Sequence, residues 1–113
     1  MEQIRQLIKE DRYILKMKSS VNFKEPKEYL KIIIDMANGK EIGYLAFGIN
    51  KKNEIIGIKK VKQSYQEISK CIKQHIEPDV KNIIIIAHVD GKNIILLKII
   101  PEKEKVHYYI EQR

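Results

Sequence analysis

Residues 82–100, NIIIIAHVDGKNIILLKII, set the strongest limit on what this chain folds into. Two apolar runs of strand length flank Asp90-Gly91, a pair that accepts the positive φ of a tight hairpin turn. Isoleucines at consecutive positions fill both faces of a strand, the pattern of a strand buried on two sides. Gly43–Ile49, GYLAFGI, repeats that pattern. Asn50–Asn53 and then Glu54–Ile58 read as a turn and a returning strand. Tyr44–Ile49 and Ile83–Ala87 are therefore expected as central strands of a sheet.

The remaining elements follow from periodicity. Ile4, Leu7 and Ile8 predict a short helix over 2–10. Tyr13–Lys18 alternates as a strand, with Tyr13, Leu15 and Met17 on one face and Ile14, Lys16 and Lys18 on the other. Tyr29, Leu30, Ile33, Ile34 and Ala37 form a wide stripe, predicting a helix over 26–37 with Pro26 in its first turn and Asn38-Gly39 as its stop. Val61, Tyr65, Ile68, Ile72 and Ile76 share one face of a helix over 61–76, ended before Pro78. Pro101 stops the strand before it, and Val106–Ile110 reads as one more strand at an edge. The predicted class is α+β: a mixed or antiparallel sheet of about five to six strands, two main helices and a short N-terminal helix. Ile33, Ile34, Phe47, Ile56, Ile68, Ile72, Ile85 and Leu97 are expected in the core.

A length of 113 residues supports one domain, and 43% hydrophobic residues are enough for a core. The longest apolar run, Ile83–Ala87, falls far short of the ~20 residues of a spanning helix, so no membrane partner is expected. The first residues, MEQIRQLIKEDR, lack the apolar core of a signal peptide. Cys71 stands alone and cannot form an internal disulfide, so a cytoplasmic location is the expectation. Lys+Arg exceeds Asp+Glu by 22 to 15, a net charge of +7. That balance favours polyanions as partners. Only Arg5, Arg12 and Arg113 are arginine, however, and an A/T-rich codon bias towards lysine and isoleucine would raise the charge with no partner at all.

Few residues point to catalysis. Gly43 and Gly48 lack phosphate-loop spacing. Cys71 and His75 stand at i, i+4, but His88 and His107 fall on other strands, so neither a metal nor another cofactor is expected. Glu10 and Asp11 are paired acids before the first strand, read as a polar helix end. Lysines cluster at Lys16 and Lys18, at Lys51 and Lys52 on a hairpin tip, and at Lys59, Lys60 and Lys62 around the third helix start. With few outward aromatics, such clusters suit phosphate contacts rather than base readout.

LKMKSS (15–20), YLKIIIDMAN (29–38) and GYLAFGINKKNEIIGI (43–58), taken in order, resemble the Schlafen AlbA-like domain. Ile76-Glu77-Pro78, Asp90-Gly91-Lys92 and His107-Tyr108-Tyr109 match its later elements, so the resemblance spans about residues 10 to 110. It implies a single domain over 1–113, either minimal or truncated at its C-terminus, DNA binding of the kind attributed to bacterial regulators, and a homodimer. The strand 92–100 and the last strand are expected to offer the unpaired edges. Schlafen-type ribonucleases place acids at three positions that match Asp11, Lys16 and Asn50 here. Only one of the three is acidic, and a lysine ammonium repels a divalent cation.

The leading expectation is thus a non-catalytic nucleic-acid-binding module, with DNA or RNA as partner through Lys16, Lys18, Lys51, Lys52, Lys59, Lys60 and Lys62. A regulator's DNA-binding part would fit it. Two alternatives stand beside it. One is a Schlafen-type endoribonuclease using Glu10, Asp11 and Glu41 or Glu54; the other is a dimerisation domain whose charge is codon bias.

Overall fold

The computed structural model describes residues 2–111. Its elements are α1 (Glu2–Arg5), β1 (Tyr13–Lys18), α2 (Lys27–Ala37), β2 (Ile42–Phe47), α3 (Val61–His75), β3 (Ile76–Glu77), β4 (Lys81–Val89), β5 (Lys92–Ile100) and β6 (Tyr108–Tyr109). Four strands form one sheet in the order β1-β2-β5-β4. β1 and β2 run parallel, joined by a crossover through α2, and β5 is antiparallel to both of its neighbours. β3 and β6 form a separate antiparallel pair. The class is α+β, as the periodicities imply.

The sheet buries both faces. Along β2, Leu45 and Phe47 point to one side with Ile95, Leu97 and Ile99 of β5. There they meet Tyr29, Leu30, Ile33, Met36 and Ala37 of α2 and Ile68, Cys71 and Ile72 of α3. Tyr44, Ala46, Ile94 and Leu96 point to the other side, under Ile4, Ile8 and Ile49. Gly43 lets α2 lie close on β2, because a Cβ there would come within 2.5 Å of Met36 Sδ and 2.8 Å of Met36 Cβ. Asn38 does more than stop α2. Its side-chain amide donates to the His107 carbonyl at 2.9 Å and accepts from the His107 N–H at 2.7 Å, pinning the approach to β6 onto the helix. Among the described residues no helix is long and apolar enough to cross a membrane.

Several expectations need correction. Ile83–Ala87 lies in an edge strand, since β5 takes the interior place between β2 and β4. An all-apolar run marks a strand but not its position in the sheet. Ile85 is accordingly exposed rather than core, and so is Ile56. Ile56 falls where the expected returning strand 54–58 is absent, leaving one bridge, Ile49 to Ile55. Ile34 is half-buried against the core, and Ile33, Phe47, Ile68, Ile72 and Leu97 lie within it. The N-terminal helix is one turn, not 2–10. The N–H groups of Leu7 and Ile8 bond three residues back to Ile4 and Arg5, which turns Leu7 outward while Ile4 and Ile8 stay buried. The last strand is two residues long and pairs with β3, outside the main sheet. The free edges of that sheet belong to β1 and β4, not to 92–100.

Candidate nucleic-acid interface

The carboxyl ends of the parallel strands β1 and β2 lie side by side, next to the start of β5. The Lys18 carbonyl accepts the N–H groups of Gly48 at 2.8 Å and Ile49 at 3.1 Å, which fastens the two strand ends together. Gly48 has a φ of 107°, a backbone setting that side chains resist, and here the chain swings out of β2. Asn22 Oδ1 accepts from the N–H groups of Lys24 and Glu25, steering the connector into α2. Asn50 Oδ1 accepts from Lys52 and Glu54 N–H, each at 2.9 Å, while its Nδ2 donates to Glu54 Oε1. The side chain of Asn50 thereby builds the turn that presents Lys51 and Lys52.

A cleft of about 470 Å³ opens between these segments, lined by Met17, Lys18, Ser19, Ser20, Asn22, Glu28, Tyr29, Ile49, Asn50 and Lys51. The crevice outside the carboxyl ends of crossover-linked parallel strands is where open α/β sheets hold ligands. Lys18 Nζ is ion-paired with Glu28 on the first turn of α2. The hydrogen bond from Lys18 holds the Glu28 carboxyl below its ordinary range. Lys18 is therefore partly neutralised. Lys16 is exposed on the same strand face, outside the cleft lining. Lys52 is exposed on the turn beside Lys51.

Lys59, Lys60 and Lys62 are exposed and make a second patch at the same end of the sheet. Ile58 N–H donates to the Asn93 carbonyl at 2.7 Å, tying the approach to α3 to the start of β5, two strands and about 10 Å from β1. Lys60 caps α3 without a side-chain hydrogen bond, so the positive end of the helix dipole adds to these three charges. Among the described residues no salt-bridge partner meets Lys16, Lys51, Lys52, Lys59, Lys60 or Lys62.

Residues 10–113 match the family model Schlafen, AlbA_2. The chain belongs to the Schlafen AlbA_2 family. No curated protein matches it. Among solved structures it is similar to the solution NMR structure of the N-terminal domain of an ATP-dependent DNA helicase RecG-related protein from Nitrosomonas europaea. The TM-score is 0.63 at 18% identity, covering 96% of this chain and 76% of that one. At that identity the likeness is one of fold.

In this Schlafen AlbA_2 chain the three positions matched to nuclease acids do not gather. Asp11 precedes β1 and lines a shallow pocket with Arg5, Arg12, Tyr13 and Glu41. Asn50 follows β2 at the opposite end, about 20 Å away for strands of this length. Lys16 lies between them on β1. Glu10 is committed elsewhere: it accepts from the Tyr44 hydroxyl and pairs with Lys98 Nζ at 2.8 Å. Those bonds, Lys98 first, lower its pKa, while burial and Glu10 raise that of Tyr44. Among the described residues no three His, Cys, Asp or Glu side chains are grouped to hold a metal ion. Cys71 is buried, and its burial pushes the thiol pKa up, the wrong direction for a nucleophile. His75 stacks on Tyr109 and bonds the Ile110 carbonyl. Sequence reasoning missed Ser19, Ser20, Asn22 and Glu28 as cleft residues. Ser19 and Ser20 belong to the LKMKSS stretch, but only the parallel crossover brings Glu28 to Lys18.

Proposed function

We propose that this domain binds nucleic acid by backbone contacts, without cleaving it, as the DNA- or RNA-binding part of a larger regulatory function. The carrying observation is the basic end of the sheet. There Lys51 and Lys52 stand at the mouth of a hydroxyl- and amide-lined cleft, with Lys16 on the neighbouring strand. Phosphate oxygens suit such a surface, since lysine and serine donors position a backbone without reading bases. Lys59, Lys60 and Lys62 extend the track along the same end. The RecG-related neighbour, named for a DNA helicase, is consistent with a nucleic-acid setting. The reading includes a homodimer and a cytoplasmic location, where the free thiol of Cys71 needs no partner.

Fluorescence anisotropy with a short duplex DNA and a single-stranded RNA tests it. Three to four phosphate contacts lower affinity about a hundredfold from 50 to 200 mM salt. Salt-insensitive binding, or RNA cleavage by the wild-type chain in Mg²⁺, would overturn the reading.

A further inference from the structure

We propose that two copies of this chain join through the outer edges of β4, running antiparallel about a two-fold axis at Ile85. The inference rests on the homodimer part of the reading above and not on nucleic-acid binding.

β4 pairs with β5 without interruption from Lys81 to Val89, so no bulge twists its outer side away. Between Asn82 and His88 it carries no charge and no proline, the usual protections of a bare edge. Three of its isoleucines are solvent-exposed, on both faces: Ile83 at 48% and Ile85 at 43% on one, Ile86 at 41% on the other. The chain protects its other free edge differently, since β1 carries Lys16 and Lys18 in six residues.

The free backbone groups fix the register. The Asn93 carbonyl is turned away from β4 and accepts from Ile58, which makes His88 and Asn93 a non-hydrogen-bonded pair. By the alternation of an antiparallel ladder, Asn82, Ile84, Ile86 and His88 then direct their N–H and C=O groups outward. A second β4 centred on Ile85 meets them in step. Ile84 faces Ile86, Asn82 faces His88, Ile83 faces Ala87 and Ile85 faces its own copy. Lys81 of each copy then lies opposite Val89, beside Asp90, so cation meets carboxylate at both ends by symmetry. Shifting the register to centre on Ile84 or Ile86 shortens the paired segment and takes Lys81 away from Asp90. The two sheets merge into one, and the exposed isoleucines of each edge are covered by those of its mate.

Single cysteines read this register. In a non-hydrogen-bonded pair the two Ile85 Cα atoms lie about 4.5 Å apart, inside the range of a disulfide, whereas two Ile83 positions lie about 14 Å apart. With copper–phenanthroline as oxidant, Ile85→Cys should run as a cross-linked dimer on a non-reducing gel. Ile83→Cys alone should stay a monomer, as should the wild type with its buried Cys71. Ile83→Cys combined with Ala87→Cys should cross-link again. Ile85→Lys should give a monomer by light scattering, with an unchanged circular dichroism spectrum. A wild-type chain that is monomeric at high concentration would overturn both this inference and the homodimer, leaving nucleic-acid binding to its own test. A dimer that survives Ile85→Lys, or that cross-links through Ile83→Cys alone, would overturn the β4 interface only.

Discussion

The two free edges of the main sheet differ in length, charge and neighbours. β1 spans six residues and carries two lysines on its helix-side face; β4 spans nine and carries none in its interior. β1 ends at an open cleft beside the start of α2, whereas β4 closes through Asp90-Gly91 into a tight hairpin. The difference teaches that one sheet can separate its two surface tasks. Charge on β1 opposes strand addition and, in the function proposed above, offers a surface for phosphate. The uncharged length of β4 leaves a template for another strand.

The largest expected effect comes from reversing charge at the β1 end. Lys16→Glu, Lys51→Glu and Lys52→Glu together should weaken binding to every duplex and RNA by about a hundredfold or more at 50 mM salt. The slope of log affinity against log salt should fall by about three units. Ile85→Lys, at the other edge, should leave the affinity of each protomer for a short probe unchanged. If Ile85→Lys were the more damaging variant, the division between the edges would fail. Anisotropy titrations of both variants decide it.

How much of this contrast the sequence carries depends on the range of the cause. The alternation Tyr13–Lys18 has a period of two, so the faces of β1, including the exposure of Lys16, follow from spacing alone. The turn residues Asn50–Asn53 and Asp90-Gly91 are also local, and their lysines or hairpin appear where expected. The edge position of β4 is not local. Four isoleucines in a row look the same at a centre and at an edge, and the outcome rests on β5 pairing with β2 across about fifty residues (Leu45 to Leu97, for instance). The cleft escapes the sequence for the same reason, because it arises from the parallel register of β1 and β2. Glu28 meets Lys18 only through the crossover that carries α2 over β1, and Ile56 is exposed because the segment after the Asn50 turn makes one bridge rather than a strand.

A backbone variant at the β2 exit probes the join on which the cleft depends. Gly48 sits at φ 107°, with Ile94 Cγ2 3.2 Å from where its Cβ would be. Gly48→Ala should cost about 1–3 kcal/mol of stability, read from a urea midpoint. Because the Gly48 N–H holds the Lys18 carbonyl, the same variant should weaken nucleic-acid binding while leaving the β4–β5 hairpin, and dimerisation, intact.

Acid should act between the edges. Glu10 has a lowered pKa in the folded chain, so below neutrality the unfolded chain binds its proton first. Stability from this group is complete above the unfolded value near 4.3 and is lost as pH falls through the lower folded value. Glu10 holds the segment after Ile8 to Lys98 and Tyr44, on the sheet face that also carries Ile83 and Ile85. The melting temperature should therefore fall from pH 5 to pH 3, and Glu10→Gln should flatten that fall. Glu28 titrates in the same direction, so Glu28→Gln is the matched control.

The smallest effect tests whether Lys18 belongs to the cleft's salt bridge or to a ligand. The Glu28 carboxyl is charged at neutral pH, as an ordinary glutamate is, its bond with Lys18 lowers its pKa further, and it lines the cleft. A phosphate entering there meets one ammonium already engaged and one carboxylate that repels it. Glu28→Gln keeps the shape and removes the repulsion, so Lys18 can turn to phosphate. Affinity should rise about two- to fivefold, and the salt slope should steepen by up to about one unit. Lys18→Gln in the wild-type background should change affinity less than Lys51→Gln, because the first charge is already partly cancelled. In the Glu28→Gln background the two lysine variants should become equal. Unchanged affinity in Glu28→Gln, with Lys18→Gln as harmful as Lys51→Gln, would mean that Lys18 already contacts the ligand and that its pairing with Glu28 opens on binding.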